Sequence, residues 1–128
     1  MAEVFVIDDE LTWLKLYDMA FSDLGHTVRG ASDGDEALRE ISEHQADVVI
    51  LDIRMAPSGL EVFRTLRRKW PHIPIVISSL YGGYRNDPGL ASADGFVVKS
   101  ADVTDLVNAV EEALASRRRG AGPATGHE

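Results

Sequence analysis

The sequence predicts a single doubly wound α/β domain built on a five-stranded parallel sheet. Two observations predict it. Short apolar runs, Val4-Phe5-Val6-Ile7, Val48-Val49-Ile50-Leu51 and Phe96-Val97-Val98, end abruptly in charge. Such runs beside turn signals read as parallel strands covered on both faces. Between them lie stretches with three- and four-residue apolar spacing, so strand and helix segments alternate five times. That order points to a parallel sheet with helices packed on it.

The elements follow in order. The first strand ends at Ile7. Glu10 to Leu24 reads as a helix, because Leu11, Leu14, Tyr17, Phe21 and Leu24 recur at helical steps and Gly25 closes it. His26 to Gly30 is a second, weaker strand. Asp33-Gly34-Asp35 leads into a helix through Ala37, Leu38 and Ile41. Asp47 to Asp52 is the third strand. Ser58 caps a helix whose inner face is Leu60, Phe63 and Leu66, and Trp70-Pro71 stops it. Ile73 to Ile77 is the fourth strand. Tyr81 to Gly89 holds three glycines and one proline, which oppose a helix. Asp87 as cap with Pro88 at the first helical position allows only a short turn pair there. Gly95 to Val98 is the fifth strand. Asp102 to Arg118 is the last helix, with Val103, Leu106, Val107, Val110 and Leu114 inward. The expected domain covers residues 1–118, and residues 119–128 read as a disordered tail.

Composition narrows the function. A chain of 128 residues with 45% hydrophobic content suits one compact domain with a core. A net charge of -8 disfavours direct nucleic-acid binding. Cysteine is absent, which excludes disulfides and thiolate metal sites. No apolar stretch approaches the roughly 18 residues a membrane span needs. The opening Ala2 to Ile7, interrupted by Glu3, is too short and acidic for a signal peptide. A cytoplasmic protein with no membrane partner is expected.

Ligands of open parallel sheets bind just outside the carboxyl ends of the strands. Asp8, Asp9, Asp52 and Lys99 all follow strand ends and are predicted to meet there. Three close carboxylates repel one another, and a hard divalent cation resolves the repulsion. Mg²⁺ fits, since it takes one or two carboxylates, waters and a phosphate oxygen. Asp9 and Asp52 are the expected direct ligands, Asp8 acts mainly through a water, and the backbone carbonyl of Arg54 completes the set. Asp52 is also a candidate nucleophile that forms an aspartyl phosphate. The Lys99 ammonium would then neutralise the phosphoryl oxygens. No general base is needed, because the attacking carboxylate is already ionised. A hydroxyl at the end of the fourth strand, Ser78 or Ser79, grips the phosphoryl group.

Together these residues resemble the response-regulator receiver domains of two-component signalling, over about residues 3 to 118. Asp8-Asp9 resembles the acidic pair, Asp52 the phosphoacceptor, Lys99 the strand-five lysine and Phe96 the aromatic switch position. Asp33-Gly34-Asp35-Glu36-Ala37-Leu38, Asp52-Ile53-Arg54-Met55 and Ala93-Asp94-Gly95-Phe96 are similar to family text as well. The resemblance implies a flavodoxin-like sheet of order 2-1-3-4-5. It implies phosphoryl transfer with Mg²⁺ from the phosphohistidine of a sensor histidine kinase or histidine phosphotransfer protein. It also implies an output face on helix four, strand five and the last helix, read by a downstream protein. Such a domain catalyses only its own phosphorylation and dephosphorylation.

The chain departs from the family pattern in four places. Counting from Pro74 favours Ser79 as the switch hydroxyl. Ser78 is preferred, because Ser79 is then the small following residue and fewer deletions precede Lys99. The loop Met55-Ala56-Pro57-Ser58-Gly59 looks one residue short. Lys99 is followed by Ser100 where proline is usual. Helix four is expected to be short or irregular. The alternative function is a phosphorylation-independent interaction module. A phosphohydrolase is disfavoured, since Arg54 stands where those enzymes usually carry a second aspartate.

Overall fold

The structure, a computed structural model, describes residues 1–55 and 58–120. Five parallel strands form one sheet: β1 (Glu3–Ile7), β2 (Thr27–Ala31), β3 (Val48–Asp52), β4 (Ile75–Ser79) and β5 (Gly95–Val98). Their order is β2-β1-β3-β4-β5, as the resemblance implied. Four helices connect and cover them among the described residues: α1 (Leu11–Asp23), α2 (Gly34–Glu43), α3 (Gly59–Lys69) and α4 (Thr104–Gly120).

Side chains alternate across the pleat, so each strand feeds two cores. Phe5, Ile7, Val49, Leu51, Ile75 and Ile77 pack with Ile41, Phe63 and Leu66 of α2 and α3. Val4, Val6, Val48, Ile50 and Val76 pack with Tyr17, Phe21, Leu106, Val110 and Leu114 of α1 and α4. This double burial is why the central strands read as unbroken apolar runs. In α1 the inward load falls on Tyr17 and Phe21, whereas Leu11 and Leu24, at its two ends, are exposed. Side chains of Asp33 and Ser58 accept the Glu36 and Glu61 amides at 2.8 and 3.3 Å, capping α2 and α3.

Several boundaries move, and local hydrogen bonds account for three of the starts. β4 starts two residues later than expected, because the Ile73 amide donates to Trp70 O and so belongs to the turn closing α3. β2 starts after His26, whose amide donates to Phe21 O and closes α1. α4 starts at Thr104, where Asp102 Oδ1 accepts the Thr104 amide at 2.9 Å and its hydroxyl at 2.6 Å. α4 also runs to Gly120, two residues into the expected tail. Residues 121–128 of that tail, and Ala56 and Pro57 of the short loop, lie outside the described residues.

The expected irregular helix four is two 3₁₀ turns, Gly82–Asn86 and Pro88–Leu90. Asp87 Oδ1 accepts the Gly89 amide at 2.7 Å, as its capping role predicts. Leu90 is buried and pins the segment to the core. Arg67 of α3 secures its far end, donating to Ser92 O at 2.7 Å and to Asp94 Oδ2 at 2.8 Å.

Candidate functional site

The parallel strands bring their carboxyl ends to one edge. Asp8 follows β1, Asp52 ends β3, Ser78 and Ser79 end β4, and Lys99 follows β5. Asp8 is buried, and both its oxygens are engaged. Oδ1 accepts the Glu10 amide at 2.9 Å and Oδ2 accepts Lys99 Nζ at 2.6 Å. Lys99 Nζ also lies 3.3 Å from Asp52 Oδ2. Its backbone amide donates to Ser79 O at 2.7 Å, which fixes where the side chain starts. Asp52 Oδ1 accepts the Arg54 amide at 3.0 Å. Exposed Asp9 completes the acidic set: one carboxylate oxygen each from Asp8, Asp9 and Asp52 lies within 4.8 Å of the others.

One ammonium faces three carboxylates, so the edge carries excess negative charge. Burial pushes the Asp8 carboxyl above its ordinary value of 3.8, and the Asp52 charge adds to the push. The hydrogen bond from Lys99 and its charge pull the other way without restoring that value. Oxygen donors with an uncompensated charge, one of them on the solvent side, fit a hard divalent cation.

The two serines separate by face. Registered residues of parallel strands project to the same side, and Asp52 is registered with Ser78. Ser78 faces α1, where its hydroxyl lies 2.9 Å from the Tyr17 hydroxyl. Burial, with the charges of Asp8 and Asp52, pushes the Tyr17 hydroxyl up to about 12. Ser79 has the parity of Ile77, which is registered with Phe96. Its hydroxyl accepts the Tyr81 amide at 3.0 Å, at the start of the irregular segment. Phe96 is half-buried against the α2–α3 core, with the Arg85 guanidinium carbon 4.9 Å above its ring.

α3 begins against the same loop. A Cβ on Gly59 would stand 2.7 Å from Asp52 O and 2.6 Å from the Ile53 carbonyl carbon. Only glycine lets the helix start this close to the end of β3. Arg54 is exposed, its guanidinium carbon 5.9 Å from the Tyr81 ring centroid.

The sequence reading missed Trp13 and Tyr17 as neighbours of the site. Lys99 Nζ lies 5.0 Å from the Trp13 ring centroid, and the Trp13 and Tyr17 rings are 5.9 Å apart. A signal was present. A helix that starts directly after an acidic strand end carries its first inward turns along the same edge, and aromatics at 13 and 17 have helical spacing.

Residues 4–111 match the family model of the response regulator receiver domain. The chain belongs to this family. It is 30% identical over 117 residues to the transcriptional regulatory protein GlrR of Escherichia coli K12, covering 88% of this chain and 26% of that protein. It is 31% identical over 107 residues to the two-component response regulator PhoP of Pseudomonas aeruginosa, covering 81% of this chain and 48% of that one. The chain thus spans only about a quarter to a half of these curated relatives. Among solved structures, it is similar to the Thermotoga maritima response regulator TrrA in complex with Mg²⁺ and BeF, at 34% identity and a TM-score of 0.83 over 88% of this chain and 98% of that one. A second structure holds TrrA in complex with the histidine kinase ThkA, at 35% identity and a TM-score of 0.83 over 89% and 99% of the two chains. No helix among the described residues is long and apolar enough to cross a membrane.

Proposed function

We propose that this domain accepts a phosphoryl group on Asp52 from the phosphohistidine of a sensor histidine kinase or histidine phosphotransfer protein. The observation that carries the reading is the Asp52 carboxylate at the end of the central strand. It lies 3.3 Å from the Lys99 ammonium and within 4.8 Å of the acidic pair. Asp9 and Asp52 would hold Mg²⁺ directly, with the Arg54 carbonyl beside them and Asp8 acting through a water. Bound Mg²⁺ supplies positive charge to the phosphoryl oxygens and to the clustered carboxylates.

An Asp52 carboxylate oxygen attacks phosphorus. The phosphorus–oxygen bond forms as the phosphorus–nitrogen bond of the donor breaks, and the imidazole leaves with that electron pair. Lys99 neutralises charge on the phosphoryl oxygens in flight. No proton need leave the nucleophile, so none of the chain's histidines is required.

The hydroxyl contacts favour Ser79 over Ser78, the preference of the sequence, as the switch hydroxyl. Ser78 is committed to Tyr17. Ser79 lies on the Phe96 side, and its bond to the Tyr81 amide ties it to the irregular segment. Drawing Ser79 toward a phosphoryl group would release Tyr81 and let Phe96 settle inward. The residue 81–93 segment, β5 and α4 then present an altered face to a downstream protein rather than to nucleic acid. This is a two-state element biased by a local charge change. The domain acts on no substrate but its own phosphoryl group, and a cytoplasmic location suits a kinase partner.

Intact-protein mass spectrometry tests the reading. The chain is incubated with acetyl phosphate and Mg²⁺, and separately with a phosphorylated histidine kinase. One added phosphoryl group is expected, absent in Asp52→Asn and in EDTA. No addition from either donor would move the assignment to a phosphorylation-independent interaction module.

A further inference from the structure

Lys99 is held by three contacts, and the third is unlike the others. Two are carboxylates, Asp8 at 2.6 Å and Asp52 at 3.3 Å. The third is the face of Trp13, 5.0 Å from the ammonium to the ring centroid. We infer that Trp13 is a positioning residue for phosphoryl uptake, its indole holding the Lys99 ammonium where the incoming group needs it. The inference rests on the phosphoacceptor reading of Asp52.

Lys99 and an incoming cation compete for the same carboxylates. Any cation that enters among Asp8, Asp9 and Asp52 draws on the same oxygens that grip Lys99. As those bonds weaken, a flexible four-carbon stem is free to leave for solvent. The indole face is uncharged, binds no hard cation through oxygen, and keeps its attraction for the ammonium. Trp13 therefore restrains Lys99 in the state where the carboxylates are otherwise occupied.

Trp13 is itself fixed on both sides. Its Nε1 donates to Glu10 Oε1 at 3.0 Å, and the Glu10 amide in turn donates to Asp8 Oδ1 at 2.9 Å. These contacts close a circuit of Asp8, Lys99, Trp13 and Glu10. On the other side the ring tilts against Tyr17 at 5.9 Å, and the Tyr17 hydroxyl is locked to Ser78 at 2.9 Å. Glu10, the N-cap of α1, and Trp13 and Tyr17 within it follow one another at three- and four-residue steps, so one stripe carries the whole brace.

The test uses the full chain. Trp13→Leu keeps an apolar side chain on that stripe, Trp13→Phe keeps a π face, and circular dichroism with thermal melting checks that both fold. Phosphoryl uptake from acetyl phosphate with Mg²⁺ is expected to slow about three- to tenfold in Trp13→Leu and no more than about twofold in Trp13→Phe. A second measurement needs no phosphoryl transfer. The chain has two tryptophans, so a Trp70→Phe background leaves Trp13 as the sole indole emitter. Its emission is expected to shift when Lys99→Met removes the ammonium from metal-free protein. Uptake as fast in Trp13→Leu as in wild type, or emission indifferent to Lys99→Met, overturns the inference. Failure of the wild-type chain to take up a phosphoryl group would instead sink the Asp52 reading, while the emission shift still decides the contact.

Discussion

Ser78 and Ser79 are adjacent in the chain and separated by the thickness of the sheet. A strand alternates with period two, so one residue of displacement exchanges the α1 side for the Phe96 side. Each hydroxyl has a different bond to lose. Ser78→Ala would strand the Tyr17 hydroxyl in a buried site, which costs about 1–3 kcal/mol. It is expected to lower the unfolding midpoint and leave phosphoryl uptake largely intact. Ser79→Ala frees the Tyr81 amide at a partly buried position and should cost less. Its expected signature is a phosphorylated domain whose Phe96 environment no longer changes, read by NMR of the aromatic ring with and without beryllofluoride. A Ser78→Ala variant with that signature, and a normal response in Ser79→Ala, would return the switch role to Ser78. The sequence could not choose between them, because family spacing pointed to one and the size of the next residue to the other. Register decides the face, and register is a tertiary fact.

At the scale of elements, unbroken apolar runs were enough where a strand is covered on both faces. Val48 to Asp52 and Gly95 to Val98 lie where their apolar runs put them. Two of the moved boundaries lie where a carbonyl near a helix end captures a following amide, as Trp70 does for Ile73 and Phe21 for His26. Composition does not encode such a capture. The acidic edge was legible because each charged residue directly follows an apolar run. The aromatic brace was not, because Trp13 and Tyr17 read equally well as ordinary core positions of an amphipathic helix. The glycine-rich stretch gave the opposite lesson: its poverty in helix formers correctly forbade a long helix. Two 3₁₀ turns have few internal bonds, so this segment belongs to the low-stability end of the fold. Amides from Tyr81 to Ala93 are expected to exchange faster than those of α1 and α3, and to slow on addition of Mg²⁺ and beryllofluoride. Exchange there that ignores activation would remove the segment from the switching element.

At the scale of the whole molecule, the site sets charge against folding. The chain carries a net charge of -8, and its acidic edge concentrates three carboxylates around one ammonium. The Asp8 carboxyl is raised above 3.8 in the folded state, chiefly by burial. The folded chain therefore binds that proton more tightly than the unfolded chain does. This contribution to stability is fully present below pH 3.8 and is lost as pH rises through the raised value. Above the raised value the metal-free fold holds Asp8 ionised at a cost, and the Asp52 charge adds to it. Asp52→Asn removes that added charge while Lys99 keeps its shorter bond to Asp8. At neutral pH without metal, the variant is expected to melt about 2–5 °C above wild type, the size of shift that roughly 1 kcal/mol gives a domain of this length. Lowering the pH through the raised Asp8 value should narrow that gap, since a protonated Asp8 no longer repels Asp52. Mg²⁺ should close it from the other side. At a hundredfold excess over its dissociation constant, a ligand specific for the folded state stabilises it by about 2.7 kcal/mol. Asp52→Asn, with one carboxylate fewer, should gain less. Melting curves over pH and Mg²⁺ concentration check all three signs together. A gap unmoved by acid or by Mg²⁺ would mean that the three carboxylates are not coupled to the fold, and the cation-site reading would fail with it.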